Sequence, residues 1–158
     1  MSIGKFFTLA VVLIISLGAA QPQTASDFDP VAIAKLRAGE IAREIRGSGR
    51  DASRPEPAQD EIFNTGLLLQ AGLRALLPVQ ERQGVALPGT PSPNDPKELI
   101  LAQENYKAVF ESGTDATPEQ RAIATASIDL AAQRLQKAGY TSLAKKAIDW
   151  LQTAEPAR

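Results

Sequence analysis

The apolar residues that follow Gln21 recur at intervals of three and four positions and almost nowhere alternate with polar residues. Such intervals place side chains on one face of an α-helix, whereas strict alternation is typical of a half-buried β-strand. The sequence therefore predicts an all-α protein, built as a small bundle of about five helices. We expect these helices to begin near Asp29, Ala58, Asp95, Thr117 and Thr141.

Residues that start and stop helices mark the predicted boundaries. Asp29 is a good N-cap, and Pro30 follows it at the first helical position, where the missing N–H costs nothing. Asp95 and Thr117 each precede a Glu or Gln by three residues, a spacing that predicts two capping boxes. We expect the first four helices to end at Gly47, Pro78, Gly113 and Gly139.

The last two predicted helices form an Ala-rich antiparallel hairpin, because the turn between them at Gly139 is very short. Over residues 125–156 this hairpin resembles one unit of the tetratricopeptide repeat family, through Ala132, Leu135, Gly139, Ala144, Ile148 and Pro156. No second unit precedes it, and a solenoid of such units needs about three repeats to bury a continuous core. We therefore interpret the segment as a hairpin within a single helical domain.

The second predicted helix carries more apolar surface than one stripe. Ile62, Leu69 and Leu73 share one face. Further large apolar side chains widen that face, namely Phe63, Leu67, Leu68 and Leu77. An apolar surface of this width indicates a helix that is central or that forms an interface. We predict that these four added residues bind a partner protein.

The first twenty residues have the three-part layout of a secretory signal peptide. Lys5 supplies a positive charge, residues 6–17 form an uncharged apolar run, and small residues precede Gln21. The alternative is an uncleaved membrane anchor, but the apolar run reaches about 18 Å as a helix against a hydrocarbon core of about 30 Å. We predict a signal peptide over residues 1–20 and export to the bacterial periplasm or the extracellular space.

Cleavage before Gln21 leaves a mature chain that is predicted to fold as one unit. Residues 21–28 are expected to form a flexible N-terminal tail, and residues 29–158 a single helical domain. Two segments rich in Gly, Pro, Ser and charged residues are predicted to be mobile connections within it, at 47–57 and 83–94.

The chain contains no cysteine and no histidine among its 158 residues. Their absence excludes a thiolate nucleophile, a Ser-His-Asp set, a disulfide, and the zinc and haem sites that Cys and His form. The 17 Lys and Arg residues are balanced by 18 Asp and Glu residues without a basic cluster, which argues against nucleic-acid binding. We therefore predict no metal and no cofactor.

One short motif is typical of penicillin-recognising enzymes. Ser142 and Lys145 match the S-x-x-K pattern, in which a helix places an amine one turn from a serine hydroxyl. The companion S-D-N and K-T-G motifs do not occur in the chain. We interpret Ser142 as an ordinary residue of the first helical turn.

Acidic residues supply the other candidate chemistry. A carboxylate-based hydrolase needs an acid and a base or nucleophile, for which Asp60–Glu61 and Glu104–Glu111 are the available pairs. Asp27 and Asp29, on either side of Phe28, could hint at a hard cation, but the remaining ligands of a calcium loop are missing. We interpret these carboxylates as solvated helix faces and helix starts.

The sequence thus leaves two main functional hypotheses. We favour an exported, non-enzymatic helical protein that binds another protein as an adaptor, an accessory subunit or a chaperone-like factor. The alternative is an envelope-associated protein that makes a peripheral membrane contact by laying the face from Ile62 to Leu77 on lipid. A small carboxylate-based hydrolase is a third hypothesis.

Overall fold

The computed structural model describes residues 28–154, and every regular element within them is a helix. The elements in chain order are α1 Pro30–Lys35, α2 Ala38–Gly47, α3 Gln59–Leu76, a 3₁₀ turn Val79–Glu81, α4 Lys97–Ser112, α5 Pro118–Lys137 and α6 Thr141–Ala154. The helices pack as a small bundle, which confirms the predicted all-α class. The predicted signal peptide and residues 21–27 of the predicted tail lie outside the described residues.

The described part of the chain has six α-helices rather than about five, because the first predicted helix is broken in two. Leu36 and Arg37 are both extended, with ψ of 148° and 157°. The Glu40 carboxylate accepts a 2.8 Å hydrogen bond from the Arg37 amide and thereby caps the start of α2. Sequence periodicity continues across the break, so it gives no sign of the interruption.

Side chains of α3 satisfy the carbonyl groups that the break releases. Gln70 Nε2 donates to the carbonyl oxygens of Ile33 and Leu36 at 3.0 and 2.9 Å. The Arg74 guanidinium donates to the carbonyl oxygens of Ala34 and Leu36 at 2.7 and 2.9 Å. The break therefore leaves no cluster of unpaired buried carbonyls, which would be costly.

Helix α3 is the centre of the bundle and packs against α1, α2, α4 and α5. Two of its glycines allow close approach of neighbouring helices. A Cβ at Gly66 would lie 2.9 Å from Ile41 Cγ1, and a Cβ at Gly72 would lie 2.6 Å from Ile128 Cγ1. The wide apolar surface of α3 therefore reflects neighbours on several sides.

Helices α3 and α4 run in the same direction, and both are antiparallel to α5. Hydrogen bonds join α4 to α5 near opposite ends, from Arg134 to Glu98 and from Asn105 to the Gln120 carbonyl. At the C-terminal ends of α3 and α4, Arg82 donates to the carbonyl oxygens of Leu77 and Val109. Parallel neighbours need a long crossover, which explains the connection over residues 77–96.

Specific contacts anchor both of the connections that the sequence predicts to be mobile. In the first, the Asp51 amide donates to the Gly139 carbonyl at 2.8 Å. In the second, Val85 is buried, and the Tyr106 hydroxyl donates to the Ala86 carbonyl at 2.6 Å. The first connection is thus attached to the turn between α5 and α6, and the second to α4.

Two of the three helix caps predicted from the sequence are present in the structure. Asp29 accepts hydrogen bonds from the Val31 and Ala32 amides, and Thr117 forms the expected capping box with Gln120. The capping box predicted at Asp95 is wrong, because its carboxylate accepts instead from the Ser92 amide. Glu98, the other member of that predicted box, pairs with Arg134 across the bundle.

The α5–α6 hairpin is as predicted. Gly139 has a φ of 95°, the left-handed conformation that the tight turn requires of a glycine. Ala131 on α5 and Ala147 on α6 are fully buried, so the two helices pack closely through small residues.

Candidate functional site

The structure contradicts half of the partner-binding set that the sequence predicts. Leu68 and Leu77 are only 0% and 2% exposed, so the prediction that they bind a partner is wrong. The sequence identifies α3 as unusually apolar, but several neighbouring helices cover that surface. Ile62, Leu69 and Leu73, which the membrane-surface alternative would lay on lipid, are buried as well.

Phe63 and Leu67 remain accessible and lie one turn apart on the same side of α3. Phe63 is 36% exposed, whereas Leu67 is half-buried against the core. An exposed phenylalanine beside a partly exposed leucine is a small apolar surface, and isolated apolar residues of this kind are common on soluble proteins. Their role in partner binding stays a prediction.

The helix that contains the S-x-x-K motif does not pair its serine with its lysine. Lys145 Nζ lies 2.6 Å from the Asp149 carboxylate, one turn further along α6. Within residues 28–154, no hydrogen bond joins Ser142 to Lys145. The lysine is thus engaged by a carboxylate on the protein surface.

The candidate carboxylate pairs are not assembled into a site. Asp60 accepts a hydrogen bond from the Glu61 amide at the start of α3, and Glu111 lies 3.9 Å from Lys107 on the exposed face of α4. Asp27 lies outside the described residues, and Asp29 is used as the N-cap of α1. Between residues 28 and 154, no three acidic side chains are grouped so that they could hold a metal ion.

The structure reveals a buried arginine that the sequence analysis does not identify. Arg82 is only 7% exposed, and its guanidinium donates to the carbonyl oxygens of Leu77, Val109 and Thr114. These carbonyls lie at or beyond the C-terminal ends of α3 and α4, where a positive charge is favourable. Arg82 therefore stabilises the start of the crossover.

Arg74 lies nearby and has a similar environment. Its Cζ atom is 5.7 Å from the centroid of the Tyr106 ring, a cation–π distance. Burial lowers the pKa of Arg74 and raises the pKa of Tyr106. Because the guanidinium already donates to backbone carbonyls and the hydroxyl donates to Ala86, these groups also serve the packing of the bundle.

A cleft of about 230 Å³ lies where α1, α2 and α6 meet, and we call it the α1–α6 cleft. Its apolar floor consists of Phe28, Ile33 and Leu143, which are almost entirely buried. Its rim consists of Asp29, Ala32, Glu44, Ser48, Ser142 and Lys146. The cleft thus combines an apolar base with charged and hydroxyl groups at its edge, an arrangement typical of binding sites.

Phe28 is held in this floor by contacts with α6. Its ring centroid lies 6.5 Å from that of Trp150. Phe28, the last residue of the predicted N-terminal tail, thus packs against α6 immediately before α1 begins. This contact depends on the last helix of the chain and has no signal in the local sequence.

Three polar side chains at the rim have no partner among residues 28–154. Glu44, Ser142 and Lys146 form no side-chain hydrogen bond or ion pair within that range, whereas Ser48 Oγ donates to the Ile45 carbonyl. The sequence singles out Ser142 for an unrelated motif. The cleft unites residues about a hundred positions apart, so no local pattern could reveal it.

Two other features bear on function. A wider depression of about 400 Å³ has mostly polar walls, formed by Val31, Lys35, Gln80, Glu81 and Gln83, and it lacks an apolar floor. Within residues 28–154, no helix has the length and hydrophobicity needed to span a bilayer.

Comparison of the chain with protein-family models, with curated proteins and with solved structures found no match.

Proposed function

We propose that this chain is an exported helical protein that binds another protein, and that the α1–α6 cleft receives a large apolar side chain of the partner. The observation that carries the proposal is the apolar floor of Phe28, Ile33 and Leu143 beneath a polar rim. Three polar side chains of that rim, Glu44, Ser142 and Lys146, have no partner among residues 28–154. Protein interfaces commonly place an apolar anchor in such a pocket and surround it with polar contacts.

The size of the cleft favours a side chain over a whole small molecule. Sites for drug-sized ligands usually enclose about 300–1,000 Å³. The volume of about 230 Å³ is smaller and suits a single Leu, Met or Phe side chain. Burying such a side chain contributes about 1.5–3 kcal/mol, which is enough for one anchor within a larger interface.

Export is the second part of the proposal and rests on the layout of residues 1–20. The intact mass of the protein recovered from the native exported fraction tests it. We expect a chain that begins at Gln21. A mass that includes residues 1–20 would contradict cleavage and would favour the membrane-anchored alternative.

Site-specific photo-crosslinking in the native organism tests the binding surface. The photoreactive residue is placed at Ser142 in the cleft, at Phe63 on α3, or at Gln152, an exposed residue of α6 outside the cleft. We expect a discrete adduct with a second protein from position 142 and none from position 152. Adducts from position 63 alone would move the binding surface to α3.

A blocking variant provides the second readout. Ser142→Trp places a large side chain at the rim of the cleft, and Gln152→Trp is the matched control on the same helix. With the photoreactive residue moved to Ala32, which is exposed at the rim, the adduct should persist in Gln152→Trp and disappear in Ser142→Trp. Equal adduct yields in the two variants would refute binding through the cleft.

A further inference from the structure

We infer that the α1–α6 cleft recognises a partner segment in which a large apolar residue has a basic side chain on one side and an acidic side chain on the other. The basic side chain would face Glu44 and the acidic one would face Lys146. This inference rests on the proposed function and adds the chemistry of the partner. It comes from the distribution of charge around the cleft.

The two walls of the cleft carry opposite charges that form no ion pair among residues 28–154. Glu44 lies on α2 and Lys146 on α6, and the two groups are not within ion-pairing distance of each other. Neither forms an ion pair with another residue of the described range. In contrast, the adjacent Lys145 is paired with Asp149. As far as residues 28–154 are concerned, both charges at the rim can therefore face a ligand.

The helix dipoles reinforce this polarity. Ser48, the C-cap of α2, lines the cleft, so the negative end of α2 lies on the same wall as Glu44. Ser142 and Leu143 belong to the first turn of α6, so the positive end of α6 lies on the same wall as Lys146. One wall favours a cation and the other favours an anion.

Asp29 does not cancel this difference between the walls. Its Oδ1 atom accepts hydrogen bonds from the Val31 and Ala32 amides at 3.0 and 3.2 Å, so its charge is engaged by the start of α1. The apolar floor between the walls requires an apolar group in the centre of the ligand. A segment with the order basic, apolar, acidic, read in either chain direction, satisfies all three parts of the cleft.

The test uses a displayed library of random dodecapeptides selected on the mature chain, residues 21–158. Peptides that also bind Ser142→Trp are removed. We expect the remaining peptides to share a large apolar residue flanked by opposite charges. Circular dichroism and thermal unfolding establish that each variant is folded, and Ser142 is exposed, so its replacement leaves the core unchanged.

Double-mutant cycles then assign each charge to its partner. Replacing the acidic residue of a selected peptide by alanine should weaken binding to the wild-type chain about two- to fivefold, as expected of an exposed ion pair. The same replacement should have no effect on binding to Lys146→Gln. It should retain its full effect on Lys145→Gln, the matched control. The basic residue of the peptide should be coupled in the same way to Glu44, with Glu104→Gln as the control.

The outcomes separate the inference from the proposed function. Selected peptides that share an apolar anchor without flanking charges, or whose charges are not coupled to Glu44 and Lys146, would overturn the charge pattern and leave binding through the cleft intact. A selection in which every peptide binds Ser142→Trp as well as the wild-type chain would overturn both.

Discussion

The side-chain amide of Gln70 donates a 2.9 Å hydrogen bond to the carbonyl oxygen of Leu36, the residue at which the first predicted helix breaks into two. The bond joins the central helix α3 to the link between α1 and α2. Arg74 donates to the same carbonyl and also to that of Ala34. Two polar residues of the central helix therefore stabilise the interruption of an adjacent helix by satisfying its released carbonyls.

The first prediction concerns these two donors. Gln70→Met should lower the free energy of unfolding by about 0.5–1.5 kcal/mol, because the Leu36 carbonyl keeps its bond from Arg74. Arg74→Met should cost about 1–3 kcal/mol, because no other donor reaches the Ala34 carbonyl from within the described residues. Urea unfolding gives both values, with exposed Gln133→Met as the control. A larger loss at Gln70 than at Arg74 would contradict this account.

The second prediction concerns the core position that the sequence assigned to an interface. Leu68 and Leu69 are both 0% exposed, so Leu68→Ala and Leu69→Ala should each destabilise the protein by about 2–5 kcal/mol. Leu101→Ala, at an exposed position on α4, should cost less than about 1 kcal/mol. Thermal unfolding measures all three, and a near-neutral Leu68→Ala would show that this side of α3 is exposed.

The third prediction compares two glycines within helices. Gly72→Ala should destabilise the protein by about 1–3 kcal/mol, because the new Cβ would lie 2.6 Å from Ile128 Cγ1 and 2.9 Å from the Ala124 carbonyl oxygen. Gly39→Ala should stabilise it by about 0.5–1 kcal/mol, because nothing lies within 4 Å of the new Cβ and alanine favours the helix. Urea unfolding measures both free energies. If Gly72→Ala and Gly39→Ala change the free energy of unfolding in the same direction, the close contact of α3 with α5 is refuted.

The fourth prediction concerns the hairpin. Ala131→Leu should destabilise the protein by about 1–3 kcal/mol, because a larger side chain must force α5 and α6 apart. Ala126→Leu places the same side chain at an exposed position of α5 and provides the control. If differential scanning calorimetry gives equal melting temperatures for the two variants, close packing at Ala131 is wrong.

The fifth prediction concerns pH. Hydrogen bonds from its own backbone amide and from the Arg134 guanidinium hold the pKa of Glu98 below its ordinary value of 4.5. A carboxyl whose pKa is lower in the folded chain stabilises the fold above the unfolded pKa, and this contribution is lost as the pH falls through the folded pKa. Glu98→Gln should therefore lose less stability than the wild-type chain between pH 6 and pH 3.

The same comparison for Glu104→Gln, an exposed residue on α4, is the control for Glu98. Urea midpoints at the two pH values give the result. Equal acid sensitivity of Glu98→Gln and the wild-type chain would show that the pair with Arg134 does not contribute to stability.

The sequence by itself determined the helical class, the hairpin and most helix boundaries, because these depend on residues close together in the chain. Apolar spacing identifies the helix faces, and Asp29, Thr117 and Gly139 fix local hydrogen bonds or a local φ angle. Each of these effects acts within a few residues. The sequence around each position is therefore enough to predict these features.

Only the tertiary structure decided which apolar surfaces are covered and which polar groups meet. The apolar width of α3 fits both a central helix and an interface, and the packing of its neighbours buried Leu68 and Leu77. The carbonyl released at Leu36 is satisfied by donors more than thirty residues away. The α1–α6 cleft needs the start of the domain and its last helix in contact, because Phe28 and Leu143 form one floor. Burial and long-range hydrogen bonding are properties of the assembled bundle, so no local pattern contains them.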